Sequence, residues 1–350
     1  MVLVSACISL VFSIIATYLS IKVARIWGIV DVPGELKIHQ SIIPRFGGLG
    51  IVSAVFLTLV IIEAASNFLQ LSGIVILVGS LLIALTGAVD DIFKLRPLQK
   101  ILGQVLGSAV FAIYWLVTSG FKPEIALPAA FIAVILFICF MSNSLNLLDG
   151  LDGLAAGVTV ILSIYLAILA IREGEQQLYI LLGVLSGACV GFLVFNLPPA
   201  KTFMGDIGSL FLGYIVGVTA IELAASGGIS VNKVLGVMLI LGVPVGDTLL
   251  AIWRRFKTHR PLFSGDRLHL YDCLYQYLRG NTWQTLLFMW GTTAVTGLTG
   301  LFVFYSDNIV IGFSVASVIA FSILILAKRL GATGGEILQS SIGKKTHLSG

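Results

Sequence analysis

Six aspartates occupy unexpected places in a chain that is otherwise strongly apolar. They lie at or near the ends of long apolar runs, at Asp90, Asp91, Asp149, Asp152, Asp206 and Asp247. A carboxylate at the edge of a hydrocarbon layer is costly unless it is paired or bound to a metal. Carboxylates that repel one another need a cation when they meet, and oxygen ligands favour Mg²⁺, with Mn²⁺ as an alternative. The sequence therefore predicts a metal site that would also accept phosphates.

The first two aspartates are adjacent, in the segment T-G-A-V-D-D-I-F-K-L-R at 86–96. Adjacent side chains at a helix end point in different directions, so one can bind a metal while the other meets another partner. The C-terminal end of a helix is the negative pole of its dipole, which disfavours acids there. We therefore favour a functional pair over a solvated helix terminus.

A second block, N-S-L-N-L-L-D-G-L-D-G-L at 143–154, carries a polar residue at every third position, namely at Asn143, Asn146, Asp149 and Asp152. In an unbroken helix each three-residue step drifts by about 60°, so the outer two would face opposite ways. The two glycines predict a break that lets the four side chains converge. Amides and carboxylates together suit a nucleotide or a hydrated metal. An Asx-rich turn is the structural alternative.

A third block, F-N-L-P-P-A-K-T-F-M-G-D-I-G-S at 195–209, combines a lysine with an aspartate. The prolines end the preceding helix, and Lys201 can meet a phosphate as a point charge. Asp206 stands at the start of the next apolar run, where helix N-terminal amides favour anions. Alone, Lys201 would only mark the inner side of a membrane. Together with Asp206 it indicates function.

The fourth candidate, Asp247, lies inside an apolar run, in G-V-P-V-G-D-T-L-L. An ionisable residue at such a depth is a functional candidate by default. The segment that follows, 254–272, is strongly basic. Two interpretations of it stay open, because it would either bind lipid headgroups or close over an anionic substrate.

Composition defines the elements that must hold these residues. Of the 350 residues, 58% are hydrophobic and 11% are charged, and the mean hydropathy is +1.05. Soluble domains have about 25% charged residues, and a helix of roughly 20 apolar residues spans a bilayer. The chain is therefore predicted to be an all-α, polytopic transmembrane helix bundle. We expect a single catalytic domain at 1–330 and a polar cytosolic tail at 331–350.

About eleven spans are predicted, with the N-terminus outside and the C-terminus in the cytosol. Their expected ranges are 2–21, 46–65, 72–89, 101–119, 128–146, 154–171, 178–196, 208–226, 234–252, 283–304 and 309–327. In this orientation the inner loops and the tail hold 18 of the 21 Lys and Arg residues, as the positive-inside rule requires. This bias accounts for the net charge of +4, so no nucleic-acid partner is expected.

In this order the blocks resemble the polyprenyl-phosphate N-acetylhexosamine-1-phosphate transferase superfamily, which includes phospho-N-acetylmuramoyl-pentapeptide transferase. The motifs are D-D-x-x-K, N-x-x-N-x-x-D-G-x-D-G and P-A-K-x-F-M-G-D-x-G-S, preceded by G-I-V-D-V-P and I-P-R-F-G-G within 28–48. The resemblance implies a Mg²⁺-dependent enzyme that moves a sugar 1-phosphate from a UDP-amino sugar, foremost UDP-N-acetylglucosamine, to undecaprenyl phosphate. UMP would leave, in the first membrane step of cell-envelope polysaccharide synthesis, such as that of lipopolysaccharide.

The resemblance also implies roles for individual residues. The metal would be bound by Asp247 and Asp91. The catalytic residues would be Asp90, Asp91, Asp149 and Asp152. The substrate-binding residues would be Asn143, Asn146, Lys94, Lys201, Asp206, Arg267 and His269. The active site would lie on the cytosolic face of the inner (plasma) membrane, and a homodimer is left open.

One departure from the family leaves the amino sugar open. The usual His-x-His-His cluster is here His269-Leu270-Tyr271-Asp272, and the three histidines of the pentapeptide enzyme are also absent, which argues against a pentapeptide substrate. Tyr271 and Asp272 would either select the sugar or brace their loop. Direct displacement is favoured over a covalent aspartyl intermediate. The rival classes are a secondary transporter with intramembrane carboxylates and a non-catalytic scaffold.

Overall fold

A computed structural model describes residues 1–33, 41–118, 127–259, 261 and 267–333. In this part of the chain 13 helices and one two-stranded ribbon form. The helices are α1 (Val2–Trp27), α2 (Gly48–Ser66), α3 (Leu71–Phe93), α4 (Pro97–Thr118), α5 (Leu127–Leu148), α6 (Leu154–Glu173), α7 (Gln176–Asn196), α8 (Gly205–Ala225), α9 (Val231–Ile240), α10 (Gly242–Lys257), α11 (Leu270–Tyr277), α12 (Thr282–Phe304) and α13 (Ile309–Arg329). The strands β1 (Val30–Asp31) and β2 (Ile43–Pro44) pair antiparallel. The predicted all-α bundle is confirmed, with this ribbon as a small addition.

Ten of the helices are long and apolar enough to cross a membrane, and α9 and α10 pass the same test only as a pair. These two helices meet at 83°, so the span predicted at 234–252 is bent in its middle and not one continuous helix. Pro244 explains the bend, because it has no N–H to continue the helical ladder and its ring clashes with the carbonyl four residues earlier. The bundle has ten candidate spans, or eleven if the bent pair crosses as one.

Helix α8 lies at the centre of the bundle and α13 at its edge. In the most apolar 18-residue stretch of each helix, 83% of the stretch is buried in α8, against 6% in α13. α8 packs against α2, α3 and α5, and the helices approach closely at glycines. A Cβ on Gly48 would overlap the backbone of Gly208, and one on Gly213 would overlap the backbone of Met141. Small residues allow such close packing in membrane proteins, and here they fix the position of α8.

The ends of α3 and α5 and the beginnings of α4, α6 and α8 meet at one end of the bundle, which we call the polar end. The loop before α8 is tied to β2 there, because Phe203 N–H donates to Pro44 O at 2.8 Å and Gly47 N–H donates to Phe203 O at 2.9 Å. The side of the membrane that this end faces, and the domain boundary at 331, stay predictions. Residues 334–350 of the predicted tail lie outside the described residues.

Candidate active site

The N-terminus of α8 is bound by Asp91, the second of the adjacent aspartates. Its Oδ1 accepts the N–H of Asp206 and its Oδ2 accepts the N–H of Ile207, each at 3.0 Å, and its side chain is fully buried. The sequence pattern predicts that these amides favour an anion. An acid at the unfavourable end of α3 is stabilised by the positive end of α8. Asp91 therefore fixes α3 against α8.

Arg45 follows β2 and connects Asp91 to Asp206. Its Nη2 lies 2.9 Å from Oδ1 of Asp206, and its Nε lies 3.5 Å from Oδ1 of Asp91. The Arg45 side chain is 43% exposed, whereas that of Asp206 is only 5% exposed. The guanidinium group therefore lies at the surface of the site, over two buried carboxylates.

Lys100, in the first turns of α4, approaches Asp206 as well. Its Nζ contacts Oδ2 of Asp206 and lies 3.6 Å from Oδ2 of Asp90. The amide of Asn146 donates to Oδ1 of Asp206 at 3.0 Å and to Oγ of Ser209 at 2.8 Å. Together with Asp91, which accepts the N–H of Asp206, these contacts bring residues from three separate sequence blocks to Asp206.

The chain breaks between α5 and α6, as the glycine pattern predicts. Gly153 has a φ of 77°, a left-handed conformation that glycine adopts without steric cost. Its N–H donates to Oδ1 of Asn196 at 3.0 Å. Oδ2 of Asp152 accepts the N–H of Ala200 at 2.9 Å. The break is therefore held against the loop that follows α7.

A cavity of about 1030 Å³ lies at the polar end. Its wall contains both acidic and basic side chains, together with amides and one indole. They include Asp31, Arg45, Asn146, Asp149, Asp152, Asp206, Arg267, Arg279, Asn281 and Trp283. Ligand sites commonly have volumes of about 300–1,000 Å³, so this space is large enough for a nucleotide sugar.

Four of the predicted substrate-binding residues are not part of the cavity wall, namely Asn143, Lys94, Lys201 and His269. Nδ2 of Asn143 donates to Oε1 of Gln104 at 2.6 Å and to Cys139 O at 2.7 Å, so this amide joins α5 to α4. The side chains of Lys94 and Lys201 are exposed and lie outside the cavity wall. Of the polar residues repeated at every third position in 143–154, three reach the cavity and Asn143 does not.

Asp247 and His269 form a buried pair that also lies outside the cavity wall. Nδ1 of His269 is 2.7 Å from Oδ2 of Asp247, and the N–H of Leu270 donates to Oδ1 at 2.6 Å. Both residues predicted to bind a metal, Asp247 and Asp91, thus already accept two hydrogen bonds. Metal binding by these two residues stays a prediction.

Tyr271 and Asp272, at which the chain departs from the histidine motif, are buried. The hydroxyl of Tyr271 donates to Leu147 O at 3.2 Å, and its ring stacks on His269 with centroids 5.7 Å apart. Asp272 lies 3.8 Å from Arg267. Burial raises the pKa of Asp272 to about 6, against the lowering effect of His269 and Arg267. These contacts favour the alternative in which both residues brace their loop.

Asp149 is the cavity carboxylate best suited to a cation. Its carboxylate makes no hydrogen bond or ion pair with a described residue, although its backbone N–H donates to Asn146 O. Burial raises the pKa of Asp149 well above its usual range, although Arg45 opposes the shift. In the part of the chain that the structure describes, no three His, Cys, Asp or Glu side chains form a metal-binding group by themselves. This donor set fits Mg²⁺, which typically uses one or two carboxylates plus substrate phosphates.

Sequence reasoning missed two basic residues of the site, Arg45 and Lys100. Both lie near predicted inner ends of spans, where the positive-inside rule accounts for them without a site. One feature of the sequence could have indicated Arg45, because it lies in the motif I-P-R-F-G-G, close to a proline and two glycines. No sequence feature indicated Lys100, because its contact with Asp206 depends on how α4 packs beside α3 and α8.

The fold and the cavity define the class of the protein: a multi-pass membrane protein with a large charged cavity at one end of its helix bundle. The family model for glycosyl transferase family 4 matches residues 73–224. A probable undecaprenyl-phosphate N-acetylglucosaminyl 1-phosphate transferase of Bacillus subtilis is 34% identical over 285 residues, which cover 78% of this chain and 77% of that protein.

Two further relatives cover most of the chain. A decaprenyl-phosphate N-acetylglucosaminephosphotransferase of Mycolicibacterium smegmatis is 30% identical over 346 residues, which cover 89% of this chain and 84% of that protein. A phospho-N-acetylmuramoyl-pentapeptide-transferase of Moorella thermoacetica is 34% identical over 282 residues, which cover 74% of this chain and 83% of that protein. The chain belongs to glycosyl transferase family 4, within the polyprenyl-phosphate N-acetylhexosamine-1-phosphate transferase superfamily that its motifs predict.

Proposed function

We propose that this protein transfers N-acetylglucosamine 1-phosphate from UDP-N-acetylglucosamine to undecaprenyl phosphate and releases UMP. The observation that carries this proposal is the cavity in which Asp149 and Asp206 share one space with Arg45 and Arg267. Groups of both charges suit a reaction between two anionic substrates. The names of the relatives from Bacillus subtilis and Mycolicibacterium smegmatis support a polyprenyl phosphate acceptor and an N-acetylglucosamine donor.

The proposed reaction is a displacement at phosphorus. An oxygen of the lipid phosphate attacks the sugar-bearing phosphorus, and the bond from that phosphorus to the oxygen of UMP breaks. Charge repulsion and positioning are the main barriers to such a reaction. Arg45, Lys100 and Arg267 are the cations that would offset this repulsion. Because Arg45 and Lys100 both contact Asp206, they are held in place before a substrate arrives.

We favour direct displacement over a covalent aspartyl intermediate. Asp91 is a poor nucleophile here, because its side chain is fully buried and both oxygens accept N–H groups of α8. Oδ1 of Asp90 accepts the N–H of Leu95 at 2.8 Å, and its Oδ2 lies 3.6 Å from Lys100. This arrangement suits a role in orienting the acceptor. The second pKa of a phosphate is about 6, so the acceptor needs little help from a base at neutral pH.

We also propose that the enzyme uses Mg²⁺, with Mn²⁺ as an alternative. Because Asp206 is already paired with Arg45 and Lys100, Asp149 would hold the ion, with substrate phosphates completing its coordination. When bound, it would neutralise the diphosphate and stabilise the leaving UMP. Asp247 and Asp91 are the competing pair of ligands, and metal-binding measurements on single variants distinguish the two assignments.

The polar end is proposed to face the cytosol from the plasma membrane. The 18 basic residues assigned to inner segments support this orientation, since positive charge is retained on the cytosolic side. The product would then enter the synthesis of a cell-envelope polysaccharide. Assembly of the chain as a homodimer stays a prediction.

Release of UMP is the test of the proposed function. Purified protein in detergent should release UMP only when UDP-N-acetylglucosamine, undecaprenyl phosphate and Mg²⁺ are all present. Asp149→Asn keeps the size of the side chain but removes its charge, and we expect a loss of activity on the order of 1,000-fold. Asp307→Asn, at an exposed position before α13, is the matched control and should keep the wild-type rate. A transporter or a scaffold would release no UMP.

A further inference from the structure

We infer that Asp247 is a positioning residue, which holds segment 267–271 beside the cavity, and not a metal ligand. The inference rests on the proposed function for its kinetic readout, whereas its metal-binding readout does not. It replaces the role that the family resemblance implied for Asp247 with one drawn from the contacts of this side chain.

The carboxylate of Asp247 has little capacity left for a metal ion. It is 1% exposed, and each oxygen has a close partner, Nδ1 of His269 at 2.7 Å and the N–H of Leu270 at 2.6 Å. Hydrogen bonds to an ionised group in a buried setting are strong and costly to lose. Asp149, by contrast, lines the cavity, and its carboxylate makes no hydrogen bond or ion pair with a described residue.

The partners of Asp247 show which part of the chain it holds. Leu270 is the first residue of α11, so its N–H is one of the groups that a helix start leaves unpaired. His269 precedes it and stacks on Tyr271, whose hydroxyl bonds to Leu147 at the end of α5. The contacts therefore run from α10 through the start of α11 to the break between α5 and α6.

Arg267 is the cavity residue that this arrangement controls. It lines the cavity and lies 3.8 Å from Asp272, in the first turn of α11. Arg267 is two residues from His269 and three from Leu270, the two partners of Asp247. Loss of the Asp247 contacts would therefore leave Arg267 less firmly positioned, although Asp247 itself does not line the cavity. Because a guanidinium group binds phosphate oxygens, the expected effect is weaker binding of the diphosphate donor.

Binding of Mn²⁺, followed by electron paramagnetic resonance, separates positioning from metal ligation. We expect the dissociation constant of Asp247→Asn to stay within about twofold of the wild type. In the same titration Asp149→Asn should bind at least about tenfold more weakly, since a lost ligand removes one of few carboxylate contacts. Binding that is weakened tenfold or more in Asp247→Asn would overturn the inference.

The kinetic test measures the Michaelis constant for the donor. Asp247→Asn should raise the KM for UDP-N-acetylglucosamine about tenfold and change kcat less, the pattern of lost substrate binding. In an Arg267→Ala background the same substitution should have almost no further effect, because both changes remove one interaction. A fall in kcat at unchanged KM, or full additivity with Arg267→Ala, would contradict a positioning role.

His269→Gln provides a second variant, in case Asp247→Asn does not fold. It breaks the same pair from the other side and leaves the bond from Leu270 to Asp247 intact. It should show the same rise in KM and the same intact Mn²⁺ binding, and a loss of Mn²⁺ binding or an unchanged KM would count against the inference. If the wild type binds Mn²⁺ but releases no UMP, the proposed function fails, and the Mn²⁺ comparison still decides the role of Asp247.

Discussion

At the scale of single residues, the site is a network of charges centred on Asp206. Arg45 and Lys100 contact different oxygens of this carboxylate, and Asn146 donates to it as well. Buried charges are stable only when they are paired and hydrogen-bonded. Arg45 also lines the cavity, so the side chain that pairs with Asp206 would also meet a phosphate in the proposed reaction.

Lys100 provides the first prediction at this scale. Lys100→Met keeps most of the apolar stem and removes the charge, and charge-assisted hydrogen bonds contribute about 1.5–3 kcal/mol. We therefore expect kcat/KM to fall roughly 10- to 100-fold. Arg96→Met, an exposed position one turn earlier, is the control and should stay within about twofold. Equal losses in the two variants would show that the contact of Lys100 with Asp206 has no special role.

Tyr271 provides the second. Its hydroxyl bonds to Leu147 O, so Tyr271→Phe should lower the free energy of unfolding by about 1 kcal/mol. The order of kcat/KM for UDP-N-acetylglucosamine and UDP-N-acetylgalactosamine should not change. Thermal unfolding in detergent and a panel of donors measure the two effects. A reversed order of donors in a stably folded variant would show that Tyr271 selects the sugar and does not merely brace the loop.

At the scale of helices, glycine contacts around α8 hold the site together. Gly48 of α2 lies directly against Gly208 of α8. Arg45 stands shortly before Gly48 in the sequence, and Asp206 stands shortly before Gly208. Overpacking costs about 1–3 kcal/mol, so Gly48→Ala should lower the unfolding temperature clearly. Gly291→Ala in α12 has open space around its Cβ and should leave that temperature unchanged or slightly higher. If both alanines behave alike, close packing of α2 on α8 is not what stabilises this end.

The helices could largely be predicted from the sequence, because apolar length is a local property of each segment. The bend between α9 and α10 was missed, because Pro244 stands inside an otherwise unbroken apolar run. The gathering of aspartates at one end of the bundle could be predicted, because a carboxylate is costly at the edge of a hydrocarbon layer unless it is paired or bound to a metal. Lys100 and the pairing of Asn143 with Gln104 could not be, because these contacts depend on packing between α4 and its neighbours.

At the scale of the whole molecule, the distribution of basic residues predicts how the bundle lies in the membrane. With the four native cysteines (Cys7, Cys139, Cys189 and Cys273) replaced by alanine, single cysteines can be placed at Glu175 and Thr258. Both positions are exposed and lie in segments predicted on opposite sides. In intact cells an impermeant thiol reagent should label Glu175→Cys and not Thr258→Cys. The reverse pattern would place the polar end outside the cell.

The most direct test of the central claim follows both parts of the donor through the reaction. UDP-N-acetylglucosamine labelled with ³H in the sugar and ³²P in the phosphate attached to the sugar is incubated with undecaprenyl phosphate and the purified protein. If the cavity transfers a sugar 1-phosphate, both labels enter the lipid in equal amounts and the released nucleotide is unlabelled UMP. Lipid that gains ³H without ³²P, with release of labelled UDP, would mean sugar transfer by a different reaction and would contradict the account.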